Sequence, residues 1–291
     1  MDKNSEAIGI DLGGTNIRVA RISRSGQILE RIQEHVPRGR DAQLAIIRDS
    51  VLRMVTPQSA GVALGFPGRV DVRSGVALTA GYLELKDVTL AAMLREITGL
   101  PAVIDTDANL ALWAEMKIGA AVGYDEIAMF TIGTGIGGAI ASDGKLYYGG
   151  GNAGQLGHIT VDLHGKSCNC GRRGCVETTS SGTALGELIA ASPLAATTRV
   201  EDLLALQKNG DRTANELLVQ WMAPLRLAVD TAVAVLGSKL VLLGGGLGKA
   251  AFEALTLVTR CDSPWFTYEI KAGELGDHAG VIGAGLRAFE A

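Results

Sequence analysis

The chain has 291 residues, 47% hydrophobic and 20% charged, with a formal net charge of −4. That length suits one large domain or two ordinary ones, and that apolar share excludes disorder. The mild acidity, with no basic block and no aromatics interleaved among cations, argues against nucleic acid as the main partner. No apolar run reaches the roughly 18–20 uncharged residues of a membrane span.

The start, MDKNSEAIGIDLGG, has no cleavable-signal pattern, and the four cysteines are too unevenly spaced for a secreted disulfide scaffold. Both features predict a cytoplasmic protein. Residues 7–32 read as three short strands broken at Gly13-Gly14 and Ser25-Gly26, with Ile17, Val19 and Ile22 turned to one side. Helical spacing follows in Leu44, Ile47, Val51 and Met54, then a buried strand, AGVALGF, closed by Pro67-Gly68. Leu90, Met93 and Ile97 mark another helix, AVID a strand, and Asp107 opens the helix ANLALWAEMKIGAA.

Residues 126–149 repeat the opening pattern of strand, glycine turn, strand, turn and strand. Asp11-Leu-Gly-Gly-Thr15 and Thr131-Ile-Gly-Thr-Gly135 occupy matching places. The repetition predicts two related lobes with their glycine turns facing one cleft. Helices are expected over 181–191, 200–208, 211–236 and 249–259, with a strand at KLVLLGGG and a closing helix in HAGVIGAGLRAFEA. Strands mixed with helices throughout make the class α/β.

Glycine is the compositional outlier, with 39 residues clustered at 13–14, 133–138, 149–157 and 244–248. A glycine turn after a strand aims several N–H groups at an anion, because no Cβ blocks the approach. GGGLGKA has the wrong spacing for a P-loop, and Ala250 stands where Ser or Thr is needed. Gly133-Thr-Gly135-Ile-Gly-Gly138 fits G-x-G-x-x-G, but a second strand follows where a dinucleotide site needs a helix. Any one such turn is as well explained by a tight hairpin; three at the ends of apolar strands point to phosphate.

His158, Cys168, Cys170 and Cys175 are spaced H-x9-C-x-C-x4-C. One imidazole and three thiolates suit a closed structural zinc site, and Gly165, Gly171 and Gly174 let a short loop wrap a metal. From the residues alone, a redox pair or buried free thiols remain open. Arg172 and Arg173 read as a solvated loop tip.

GIDLGGTNIRVA, FTIGTGIGGAI, GHITVDLHGKSCNCGRRGCVE and LVLLGGGLG together resemble the ROK family (repressors, open reading frames and sugar kinases) of the actin/hexokinase-like superfamily. The resemblance runs in order from about residue 7 to 287, and the cysteine segment is its most specific part. It implies a two-lobed, actin-like (ribonuclease H-like) ATPase fold with a cleft and a zinc-binding loop. The expected lobes are 1–107, with a C-terminal helix near 278–291 packing back, and 108–277, with the zinc loop at 158–175.

By the same resemblance, Gly13, Gly14 and Thr15 form a first phosphate turn, Thr134 and Gly135 a second, and Gly245 and Gly246 lie at the adenosine of ATP. Asp11 helps hold Mg2+, Asp107 is the catalytic base, and the Cys3His set holds zinc. Gly68, Thr106, Asp107, Gln155, His158 and Glu177 are implied at the sugar. Asp107 also suits a helix N-cap, and Asp105 is its competitor for the base role, better placed to support it.

The sequence departs from the family at two of these places and at Tyr82. Thr106 stands where the family commonly has Asn, Gln155 where it has Glu, and Tyr82 where an Asn is frequent. Glutamate only accepts hydrogen bonds, whereas glutamine also donates, so Gln155 alters the pattern offered to a hydroxyl. The expected function is an ATP-dependent kinase for the 6-hydroxyl of a hexose of the glucose or N-acetylmannosamine type. An amino sugar or cyclitol acceptor is the alternative. A sugar-responsive regulator is less expected, because the first turn begins at residue 11 with no room for a DNA-binding segment before it. A sugar-independent ATPase is opposed by the zinc motif. Family habit implies a homodimer or homotetramer.

Overall fold

The computed structural model describes residues 5–79, 81, 83–259 and 263–291 and divides into two compact units. The first runs to Val122 and takes in Tyr148–Asn152 and Asp277–Ala291; the second comprises Gly123–Tyr147 and Ala153–Gly276.

In the first unit, β1 (Glu6–Leu12), β2 (Asn16–Ser23) and β3 (Ile28–His35) form an antiparallel meander. Ile17 and Val19 lie on one face of β2, opposite Leu12 and Ile10, whereas Ile22 lies on the other, opposite Ala7 and against Gly285, so the three do not share one side as the sequence suggested. Helix α1 (Arg40–Leu52) then crosses to β4 (Ser59–Phe66), and a small hairpin, β5 (Arg69–Asp71) and β6 (Val76–Thr79), follows. Helix α2 (Leu90–Thr98) stops at Gly99, whose φ of 69° is the left-handed cap that glycine adopts without a Cβ clash. Strand β7 (Ala102–Thr106) leads into α3 (Asp107–Ile118). The sheet order is β3-β2-β1-β4-β7, with β1, β4 and β7 parallel.

Ile8, Ile10, Leu12, Val62 and Leu64 face one side of this sheet and bury Ile47, Val51, Leu90 and Leu94 of α1 and α2. The alternate positions Ala7 and Ala63 meet Leu110 of α3 and Ala284 and Ala288 of the C-terminal helix. That second face is lined by small residues, so the helices lie close against it. The break falls after Val122, not after residue 107, because α3 buries its face within the first unit.

In the second unit, β8 (Ile127–Ile132), β9 (Ile136–Ser142) and β10 (Lys145–Leu146) repeat the meander. A 3-10 turn, Leu156–His158, precedes the cysteine loop. Helices α4 (Glu177–Ser180), α5 (Gly182–Ala190), α6 (Val200–Lys208) and α7 (Arg212–Leu236) follow. Then come β11 (Leu240–Gly244), α8 (Gly248–Leu255) and β12 (Glu269–Ala272), before the chain returns to the first unit as α9 (Ala279–Ala288).

The second sheet has the order β10-β9-β8-β11-β12, so both units carry the same plan of three antiparallel and two further parallel strands. Strand β12 was not legible in the sequence, because it is a four-residue edge with no fully buried side chain. Phe130, Trp221, Met222, Leu225 and Leu243 centre the second core. Helix α7 is long and apolar enough to cross a membrane, but half of its most apolar window is buried within the protein.

Candidate functional site

In the first unit, strand pairing assembles the site. Asp11 lies opposite Gly65, and Gly65 opposite Asp105, so three adjacent strands end in one row. Phe66 pairs with Thr106, which brings the Pro67-Gly68 turn to the same end as the β7–α3 junction. The carboxyl ends of parallel strands are where α/β sheets place ligands.

Asp11 is the penultimate residue of β1, before the turn Gly13-Gly14-Thr15, closed by the Gly13 N–H donating to Asn16 O at 2.8 Å. Gly14 and Thr15 are exposed, leaving that turn open to a ligand. Arg18 donates from Nη1 to Asp11 Oδ2 at 3.1 Å. Burial nevertheless holds the Asp11 carboxyl above the usual range, against Arg18 and with help from Asp277. The first turn of α9 lies against Asp11: a Cβ on Gly280 would stand 3.1 Å from its carboxylate.

At the β7–α3 junction, Thr106, not Asp107, is the N-cap: its Oγ1 accepts the Asn109 N–H at 3.1 Å. Asp107 is the first helical residue, and its Oδ1 accepts the Ala108 N–H at 2.8 Å. Burial, then the charges of Asp11 and Asp105, push its carboxyl up to about 7. That is the range in which a carboxylate serves as base near neutral pH.

Asp105 is differently placed. Its Oδ1 accepts Asn109 Nδ2 and the Thr106 N–H, each at 2.7 Å, and its Oδ2 accepts the Tyr148 hydroxyl at 2.7 Å. It is 2% exposed, and burial holds its carboxyl above the usual range. Three donors already occupy this carboxylate and tie it into the junction. Tyr148 and Asn109 carry no sequence signal of that role: one sits in a glycine run and the other inside a helix.

In the second unit, the turn Gly133-Thr134-Gly135 is closed by Gly133 N–H to Gly135 O at 3.0 Å and is held by α5. Gly182 N–H donates to Gly133 O at 2.8 Å, and the Thr183 hydroxyl donates to Thr134 O at 2.8 Å. Glu177 Oε2 accepts the Ile136 N–H at 2.9 Å, so this carboxylate braces the turn. A Cβ on Gly135 would lie 2.5 Å from the same oxygen. Gly245 follows β11 with φ of 79°, and a Cβ there would stand 2.6 Å from Ile132 O. Only glycine fits that step towards Gly246 and α8.

Gln155 and His158 flank Gly157, where a Cβ would stand 1.9 Å from Ile136 O, so this stretch is pressed onto β9. Gln155 is exposed, and its amide has no hydrogen-bond partner among the described residues. The donor atoms of His158, Cys168, Cys170 and Cys175 all lie within 4.8 Å of one another. His158 Nδ1 is 3.6 Å from Cys168 Sγ, and Cys170 Sγ is 3.6 Å from Cys175 Sγ. A tetrahedral zinc with Zn–S bonds of about 2.3 Å separates its sulfurs by roughly 3.8 Å. The set therefore fits zinc, with His158 turning Nδ1 towards the thiols. Arg172 and Arg173 are not a free tip: they donate to His158 O at 2.9 Å and Gly165 O at 2.8 Å and tie the loop down. Tyr82 and Cys261 lie outside the described residues.

The sequence pattern of the ROK family matches residues 7–289. A glucokinase of Halalkalibacterium halodurans is 31% identical over 316 residues, covering 96% of this chain and 93% of that protein. An N-acetylmannosamine kinase of Yersinia pestis is 34% identical over 265 residues, covering 87% of this chain and 89% of that one. Among solved structures, a ROK family glucokinase from Streptomyces griseus in complex with glucose and AMPPNP superposes with a TM-score of 0.84. Its identity is 25%, over 99% of this chain and 100% of that one.

Proposed function

The chain belongs to the ROK family, and from that membership we propose that this sugar kinase transfers the γ-phosphate of ATP to the 6-hydroxyl of a hexose or hexose derivative. The acceptor is of the glucose or N-acetylmannosamine type. The observation that carries the reading is Asp107: a carboxylate raised to about 7 at a helix start whose cap is already filled by Thr106.

In this reading the acceptor oxygen attacks the γ-phosphorus in line, and the bond from that phosphorus to the β–γ bridging oxygen breaks. Its electron pair leaves with ADP, while Asp107 takes the hydroxyl proton. Gly13 closes the first turn through its own N–H, while Gly14, Thr15, Thr134 and Gly135 offer N–H groups and two hydroxyls to the phosphates, and Gly245 and Gly246 shape the turn at the adenosine. The charges of Asp11 and Asp105 raise the Asp107 carboxyl, and Asp277 raises Asp11 against its one cation, Arg18, so negative charge gathers at Asp11. That suits Mg2+, which when bound offsets phosphate charge. Gly68, Thr106, Gln155, His158 and Glu177 contribute the remaining acceptor contacts, Glu177 through the turn it braces.

His158, Cys168, Cys170 and Cys175 would hold zinc through four protein ligands, and the metal would then fix the loop that carries Gln155 and His158 without taking part in the transfer. The exposed amide of Gln155 also admits an amino sugar or a cyclitol. Cysteines kept reduced as zinc ligands and ATP as donor suit a reducing cytoplasm, and a homodimer or homotetramer is the expected assembly. No feature of the described residues favours a regulator over a catalyst.

The test is coupled ADP release across glucose, N-acetylmannosamine, N-acetylglucosamine, kanosamine, fructose, allose and inositols, with NMR of the product. Sugar-dependent ADP release with a 6-phosphate product is the expected result. Equal ADP release without sugar would defeat the reading.

A further inference from the structure

Beside the β7–α3 junction, wholly within the first unit, lies a cavity of about 610 Å³. The β5–β6 hairpin forms one wall and residues 148–152 form the other. Tyr148 belongs to this lining, and its hydroxyl is bound to Asp105, two residues before Asp107. Arg69, next to Gly68, donates from Nε to Asn152 Oδ1 at 3.0 Å and so joins the two walls. Positions 150 and 151 have open space where a Cβ would point, so backbone as well as side chains faces room for a ligand.

The charge of this lining is one-sided. Arg69 and Arg73 contribute two cations, and neither forms an ion pair among the described residues. Asp71 contributes one anion, which leaves one positive charge in excess. Its Oδ1 is already taken by the backbone N–H groups of Arg73 and Ser74 at 3.1 and 3.3 Å. The volume falls in the range of small-molecule sites, about 300–1,000 Å³, and exceeds what a neutral hexose ring fills.

We infer that this cavity receives an anionic substituent of the acceptor sugar, with Arg69 and Arg73 as specificity-determining residues. The inference rests on the sugar-kinase reading. Guanidinium groups bind carboxylate, sulfate and phosphate oxygens through charge-assisted hydrogen bonds, which are stronger than those a neutral hydroxyl offers. A substrate with an anionic arm away from its 6-hydroxyl could therefore dock the arm here.

Matched acceptors test it. N-acetylmuramic acid is compared with N-acetylglucosamine, from which it differs by a carboxylate-bearing ether. N-sulfoglucosamine is compared with the same neutral sugar. In at least one pair the anionic member should show a kcat/KM at least about tenfold higher, falling as salt is raised. Arg73→Gln and Arg69→Gln should each pull that ratio towards one. Arg73 is exposed and its side chain makes no hydrogen bond among the described residues, so its variant keeps the test valid if Arg69→Gln disturbs folding.

The inference is overturned if the neutral sugar is equal or better in both pairs, or if the ratio survives both substitutions. It is also overturned if glucose or N-acetylmannosamine is turned over while neither anionic sugar is. If no sugar in the wider panel supports ADP release, it is the kinase reading that has failed.

Discussion

The hydroxyl of Thr106 accepts the backbone N–H of Asn109 at 3.1 Å, so the N-cap of α3 is filled one residue before Asp107. The helix N-terminus favours a charged Asp107 by about 0.3–1 kcal/mol. Burial and the nearby Asp11 and Asp105 outweigh it, since the carboxyl is pushed up to about 7. A residue held in that state is poorly explained by stability and well explained by proton transfer.

Asp107→Asn should lower kcat by roughly 10²–10⁴-fold, the usual range for a lost general base. In the unsubstituted enzyme, kcat/KM should fall tenfold per pH unit below about 7, because the base must be unprotonated. Stability should move the opposite way. The folded pKa lies above the unfolded one, so the folded state holds the proton more tightly, and stability is lost as pH rises from about 4 through about 7. Asp107→Asn should therefore be more stable than the parent at pH 8, by an amount on the order of 4 kcal/mol, and no more stable at pH 4. A lower melting temperature at pH 8 would remove the assignment of a strained carboxylate.

Thr106→Ala should cost about 1 kcal/mol through the lost cap, whereas Thr106→Ser should cost little. If Thr106 also donates its hydroxyl proton to the acceptor, Thr106→Ala raises KM while Thr106→Ser restores it. Urea unfolding and sugar titration separate the roles. Equal stability of both variants and the parent would show that the cap contributes nothing.

Cys170→Ser should lower zinc from one per chain to a small fraction, as measured by elemental analysis of the purified protein. The melting temperature should fall with it, because metal affinity for a folded site is folding free energy. Cys170 is the exposed cysteine of the set, so loss of a packed core side chain does not confuse the result. Full zinc occupancy in this variant would reject the four-ligand site.

Most of the plan of both sheets was legible because the central strands carry buried apolar residues and the turns between them glycines, whereas the short edge strand β12 has neither. The Cys3His cluster was legible because its four residues lie close together in the chain, and their donor atoms meet within 4.8 Å. The support beneath the site was hidden. Tyr148 meets Asp105 across 43 residues of chain, and Glu177 meets the Ile136 N–H across 41. Such pairings depend on how strands register, which local pattern does not encode. The sequence also placed the cap on Asp107, since Thr and Asp are both good N-caps and only the backbone decides between neighbours.

Gln155→Glu tests whether the acceptor is chosen at this position. The amide is exposed and unpartnered among the described residues, so the substitution disturbs no internal contact and changes only what a ligand meets. Replacing a donor-acceptor by an acceptor should shift the ranking of kcat/KM towards glucose. An unchanged ranking across the sugar panel would remove Gln155 from specificity.

The tightest packing in the first unit couples α3, which carries Asp107, to α9, whose first turn meets Asp11. A Cβ on Gly283 would stand 1.8 Å from Leu110 O, and one on Gly9 2.1 Å from Val281 O. Neither neighbour is a flexible side-chain tip, so Gly283→Ala must push the helices apart, at about 1–3 kcal/mol or more. Because Asp107 begins α3 and Gly280 abuts Asp11, the same movement should also lower kcat. Gly186 in α5 is the control, since a Cβ there meets nothing within 4 Å. Gly186→Ala should stabilise by up to about 1 kcal/mol through helix propensity and leave turnover alone. If Gly283→Ala unfolds and turns over like the parent, the close helix packing does not position the two aspartates.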